Sequence, residues 1–158
     1  MTYTSSSSQL CSLTEWSITH IRSIFEADTD DDALDAISGT FSPTLSATLN
    51  GVPLPREGLE KLVLSMRHGS FGGNGLRVQW KYTMEVPKDS TNREGAFGGV
   101  YTISGLRKTL PGSGMAAYFT RHKTVTVNIE SQGSEEPNVD SRRIVSLVFV
   151  ASDMQEDI

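Results

Sequence analysis

Across residues 76–86 apolar and polar residues alternate without a break. Leu76, Val78, Trp80, Tyr82, Met84 and Val86 hold one parity; Arg77, Gln79, Lys81, Thr83 and Glu85 hold the other. Successive side chains of a strand point to opposite faces, so the run predicts a half-buried strand about ten residues long. Further strands are predicted at about 95–108, 115–131 and 142–152, set apart by turn-rich segments at 88–93, 111–114 and 133–140. Gly98-Gly99 inside the second long strand predicts a bulge or sharp bend. Strands adjacent in sequence usually pair, so this half of the chain reads as an antiparallel sheet.

Upstream the period is 3.6 rather than 2. Ser12-Leu13-Thr14-Glu15 fits a capping box, with Cys11 and Trp16 placed as a hydrophobic staple. Leu13, Trp16, Ile21, Ile24 and Phe25 then recur at helical spacing, which predicts a first helix over about 13–27. The acidic run 28–32 caps a second helix over about 31–38, which Gly39 is expected to end. Residues 44–50 alternate and run into Asn50-Gly51, a hairpin signal. Pro55 opens a third helix over about 55–67 that buries Leu59, Leu62, Val63 and Met66. Helices followed by an antiparallel sheet give an α+β layer architecture. The expected organisation is a flexible leader over 1–11, one domain over 12–152 and an acidic tail over 153–158.

The chain has 158 residues and a formal net charge of −5. All of that excess lies in residues 1–70, which hold nine acids against four bases. Nonspecific phosphate binding needs a basic field, so no nucleic-acid partner is expected, and an anionic membrane surface is disfavoured on the same ground. Arg77, Lys81, Arg107, Lys108, Arg121 and Lys123 alternate with apolar residues or sit among acids, which reads as a solvated strand face. No apolar run reaches the ~18 residues of a membrane span, and the first residues lack the charged and apolar regions of a secretory signal. Cys11, the single cysteine, excludes an internal disulfide and suits a cytoplasmic location. His20, His68 and His122 have no metal spacing, the acidic run 28–32 lacks the glycine and glutamate of a calcium loop, and Gly69, Gly72, Gly73 and Gly75 precede a strand rather than a helix. No metal and no cofactor are expected.

The later strands have two apolar faces. Phe97, Tyr101 and Ile103 oppose Ala96, Val100 and Leu106, and Ile144, Val148 and Val150 oppose Val145, Leu147 and Phe149. Three helices cover one face of a sheet. A homodimer through the outer sheet face is the expected cover for the other.

This order of elements resembles the nuclear-transport-factor-2-like superfamily, also called SnoaL-like or cystatin-like, over residues 12–152. The local carriers are Phe41-Ser42-Pro43 leading into 45–51, the proline link and helix 56–67, the long strands, and Arg143-Ile144-Val145 at the start of the last one. The resemblance implies helices packed in the concave face of a strongly curved, mostly antiparallel sheet. The result is a cone with a deep pocket, and dimers through the sheet are frequent. Its members include ketosteroid isomerases, dehydratases, polyketide cyclases and proteins without known activity, so the fold alone does not settle function.

In such a cone Trp16, His20, Phe41, Trp80, Tyr82 and Tyr101 are the expected pocket lining, with Trp80 and Tyr82 sharing a strand face suited to a flat apolar ligand. Acid–base chemistry needs a His, Tyr or carboxylate with a shifted pKa. His122, Tyr82 and Tyr101 are the catalytic candidates, with His20, Asp153 and Tyr118 also considered. Tyr118, Thr120, His122 and Thr124 form a polar row on one strand face, which points either into the pocket or at the dimer seam. Three readings follow. The chain is an isomerase, dehydratase or cyclase of an apolar cyclic substrate, a carrier of such a ligand, or a noncatalytic dimeric protein-interaction module.

Overall fold

The computed structural model describes residues 10–70, 74–133, 136 and 139–156. Most of the expected leader, Gly72 and Gly73, part of the 133–140 turn and the last two residues of the expected tail lie outside the described residues.

Helix α1 (Leu13–Phe25) starts where its cap predicts, with the Ser12 hydroxyl accepting the Glu15 N–H at 3.0 Å. Cys11 is exposed; its sulfur accepts from Arg142, whose guanidinium lies over the Trp16 ring. Helix α2 (Asp30–Thr40) is capped by Thr29, with three aspartates in its first turn. It does not stop at Gly39, which keeps a negative φ and stays helical. The helix ends because Phe41 turns extended and pairs with Ile144, so α2 runs directly into strand β1 (Phe41–Leu49). Asn50 and Gly51 both take positive φ, as a two-residue hairpin requires, and lead into β2 (Val52–Pro53). Helix α3 (Arg56–His68) and strands β3 (Arg77–Pro87), β4 (Gly95–Thr109), β5 (Ala116–Ser131) and β6 (Arg142–Gln155) complete the chain.

The sheet order is β2-β1-β6-β5-β4-β3, antiparallel except for the β1–β6 pair. Three helices pack on one face of this unclosed sheet. Two buried arginines tie the layers together. Arg67, 1% exposed, bonds Asp30 and the carbonyls of Phe25 and Ala27, pinning the α1–α2 corner. Arg142, fully buried, takes both oxygens of Asp140 and the carbonyls of Cys11 and Asn92, which fastens the start of α1 to two strand ends. Asp153 belongs to β6 rather than to a tail, held by Arg121 directly across the β5–β6 ladder.

Three bulges decide which side chains meet the helices. Each inserts one residue and therefore reverses the inward parity beyond it. Lys81 is extra in β3, between the pairs Trp80–Tyr101 and Tyr82–Val100. Ser104-Gly105 faces a single residue of β5, with Gly105 at φ 88°. Val145 is extra in β6, between Ile144 and Ser146. Gly98-Gly99, the expected bulge, pairs regularly; a Cβ at Gly99 would lie 2.7 Å from the Trp80 ring, so the glycine makes room for the indole.

These insertions correct the parity read from the sequence. Leu106 joins Phe97, Tyr101 and Ile103 on the helix-covered face, and Ile144 joins Leu147 and Phe149 there. Tyr82 parts from Trp80 and lies on the opposite face, 79% exposed. Even after this sorting the outer face keeps apolar rows across paired strands: Tyr82–Val100–Thr124–Val150, and beside it Met84–Gly98–Thr126–Val148.

Candidate active site in the sheet interior

Strand β5 supplies the centre of the site. Its odd residues Phe119, Arg121, Lys123, Val125, Val127 and Ile129 share the inner parity, and its even residues form the outer polar row. The register places Lys123 opposite Tyr101 of β4 and beside Ala151 of β6. Lys123 is 3% exposed. Its Nζ lies 4.8 Å from the ring centroids of Phe25 and Phe149 and 5.6 Å from that of Tyr101, so three rings from α1, β6 and β4 enclose one amine. Nζ forms no hydrogen bond or ion pair with any described residue. The expectation that Lys123 sits on a solvated face is therefore overturned. The reason is its parity, shared with Val125, Val127 and Ile129.

Desolvation disfavours the ammonium form and pushes the Lys123 pKa down to about 7; the Arg121 guanidinium pushes the same way and Asp153 opposes both. Cation–π attraction from the rings favours the charged form by about 2 kcal/mol, less than the several kcal/mol that burying an ion costs. Burial raises the Tyr101 phenol above the ordinary tyrosine range, so it remains protonated beside the amine. Next along the strand, Arg121 donates through Nε and Nη2 to Asp153 at 2.7 and 2.9 Å, and Lys108 binds the same carboxylate. The Arg121 hydrogen bonds hold the Asp153 carboxyl down to about 2. Asp153 is thus committed as a counter-ion and leaves Lys123 without an acid of its own.

Lys123 and Tyr101 line a cavity of about 30 Å³, walled by Ile21, Phe25, Phe41, Leu59, Val63, Val125, Leu147 and Phe149. That space suits about one water molecule. Phe149 also lines a polar hollow of about 230 Å³ at the rim, with Leu49, Asn50, Leu62, Arg121 and Asp153. One aromatic side chain therefore touches both the interior cavity and the open rim.

The other predicted site residues divide sharply. Phe41 and Tyr101 line the cavity. Trp80 packs behind Tyr101, ring centroids 4.4 Å apart, and its buried Nε1 has no partner among the described residues. Trp16 is buried against His20, which borders a separate hollow between α1 and α2. Burial holds the His20 imidazole below the ordinary histidine range, and its buried Nε2 has no partner among the described residues. Tyr82 and His122 do not enter the cavity. The Lys81 bulge turns Tyr82 outward, and His122 belongs to the exposed even row of β5 with Tyr118 and Thr124. The signal that could have found Lys123 is its place in that odd series, ahead of Val125, Val127 and Ile129.

Solved structures with the same architecture decide the fold. AclR, a candidate hydroxylase from Streptomyces galilaeus, superposes with a TM-score of 0.56 at 14% identity, covering 89% of this chain and 91% of its own. A protein of unknown function from Pseudomonas aeruginosa, described as NTF-2-like, gives 0.56 at 15% identity over 88% and 94%. This is the nuclear-transport-factor-2-like fold. Wild-type IdmH, a candidate polyketide cyclase from Streptomyces antibioticus, shares the fold with a TM-score of 0.55 at 12% identity, covering 85% of this chain and 90% of its own. No family model and no curated protein matches the sequence. Identities this low carry the fold and not the chemistry. Among the described residues no helix is long and apolar enough to cross a membrane.

Proposed function

We propose that this chain binds a small apolar cyclic molecule inside the cone and acts on it as an isomerase, dehydratase or cyclase, with Lys123 taking up and returning a proton. The observation that carries this reading is the Lys123 amine, buried in a cage of three aromatic rings at a cavity and lacking a counter-ion. A general base works best with a pKa near the operating pH, and an amine near 7 meets that condition. The neighbouring Tyr101 phenol supplies a hydrogen-bond donor. The resting cavity is too small for a ring compound, so binding requires Phe149 to swing and join the interior to the rim hollow. The candidate cyclase and hydroxylase assignments of IdmH and AclR are consistent with this class of chemistry.

The exposed rows on the outer sheet face support a homodimer through that face, as the cover for Tyr82, Met84, Val148 and Val150. A dimeric protein-interaction module without catalysis is the second reading, favoured by the same rows and by the small interior volume. The lone cysteine supports a cytoplasmic location. Native mass spectrometry of gently purified protein, with a denatured control, tests these readings together. A dimer carrying a small mass that is lost on denaturation is expected. A bare mass, combined with no perturbation of cavity residues by added cyclohexanol, would contradict the pocket reading, and a monomer would contradict the seam.

A further inference from the structure

We propose that the molecule bound in the cone is an apolar aldehyde or ketone, and that Lys123 holds it as an imine. This inference rests on the pocket reading above and adds the substrate class to it.

Three observations select the carbonyl group. First, three ring faces lie within 4.8–5.6 Å of Lys123 Nζ beside the cavity, and the amine forms no ion pair with any described residue. Second, the one nearby acid is spent elsewhere, since Asp153 is bound by two nitrogens of Arg121 and by Lys108. Third, the nearest charge on its own strand, Arg121, is of like sign. Desolvation beside another cation is an established route to a nucleophilic lysine. The charged groups bearing on the amine are Arg121 and Asp153, and the phenol of Tyr101 is the other titratable group at the cavity.

The step balances without a redox partner. The nitrogen lone pair adds to the carbonyl carbon and forms the C–N bond. A proton moves from nitrogen to the carbonyl oxygen, giving a carbinolamine. The hydroxyl takes a second proton, delivered by water from the rim, and leaves as water while C=N forms, so that the positive charge ends on nitrogen. The resulting iminium draws electrons from the adjacent carbon, so that a C–H bond there becomes acidic. Isomerisation, dehydration and ring closure next to a carbonyl all need that activation. The apolar walls keep bulk water from reversing the imine.

The test treats the full chain at pH 7 with cyclohexanone and sodium cyanoborohydride, which reduces an iminium to a stable secondary amine, followed by peptide mapping. Amide chemical shifts of cavity residues are followed in parallel titrations with cyclohexanone and cyclohexanol. Lys123 is expected to be alkylated roughly tenfold or more faster than the exposed Lys61, Lys81, Lys88 and Lys108. Cyclohexanol is expected to slow the labelling, and a folded Lys123→Met variant to lose it. Shifts at the cavity without an adduct on Lys123 would overturn the imine while leaving the pocket intact. Adducts confined to the exposed lysines, with no cavity shifts, would overturn both.

Discussion

The two sides of β5 obey opposite rules. On the inner side, Val125, Val127 and Ile129 are buried under the helices, and Lys123 is buried with them. On the outer side, Tyr118, Thr120, His122, Thr124, Thr126 and Asn128 stand among apolar neighbours that are open to solvent, including Val148, Val150 and Tyr82. The polar residues with obvious chemistry, His122 and Tyr118, are on the side away from the Lys123 cavity. The residue with unusual chemistry is a lysine on the side that should be apolar. Polarity and burial part company on both faces, and those departures mark where the protein has something other than packing to do.

The comparison breaks most visibly under a charge. Val127→Asp places an unpaired carboxylate in the core and is expected to cost on the order of 4 kcal/mol or more, enough to unfold the chain. Thr126→Asp, one residue away on the outer face, is expected to change subunit stability by within about 0.5 kcal/mol while splitting any dimer that uses that face. Denaturant titration and size-exclusion chromatography of the pair check both halves.

Lys123→Met sharpens the contrast, because every buried residue of the inner row of β5 is then apolar. Its sign follows from the lowered pKa. Below pH 7 both folded and unfolded chains hold the proton, and the folded state carries the full cost of a buried ammonium. Between pH 7 and about 10 the folded chain has shed that proton while the unfolded chain retains it, so stability rises with pH by at most about 1.4 kcal/mol per unit. The variant is expected to be more stable than the native chain by about 3 kcal/mol at pH 6, with the gap closing towards pH 9.5. Urea unfolding of both proteins across that range measures it. A smaller effect is expected at the bulge-side glycines. Gly99→Ala drives a methyl into the Trp80 ring and is expected to cost about 2 kcal/mol, whereas Gly98→Ala meets no heavy atom closer than 3.4 Å and is expected to be nearly neutral. Thermal melts of the two variants give the difference. Smallest of all, Val150→Ser leaves a monomer's stability within about 0.5 kcal/mol, and is expected to weaken self-association instead.

The order of elements was legible because each carries local chemistry: the Ser12 cap, the Asn50-Gly51 turn, the alternation before Val86. The strand limits followed the turn residues closely. What the sequence concealed was the phase of each strand beyond its bulge. Lys81, Ser104-Gly105 and Val145 each add one residue, and nothing in the local composition marks Lys81 or Val145 as the extra one. Counting by two through them placed Tyr82 inside, and put Leu106 and Ile144 on the wrong sides. The site was partly legible. Phe41 and Tyr101, both named from the sequence, border the cavity, and Tyr101 lies ahead of the bulge in its strand. Lys123 was hidden by its own charge, since a lysine beside Arg121 and His122 reads as solvated until its valine and isoleucine companions are weighed.

The central claim is that an amine without an ion-pair partner sits inside this sheet and loses its proton near pH 7. The most direct measurement is an NMR titration of protein carrying ¹³C at lysine Cε, with Lys123→Met used to assign the resonance. The account predicts that Lys123 titrates with its midpoint near 7. A Lys123 midpoint near 10 would contradict it, since the amine would then be solvated or paired and the inner face would have no base to offer.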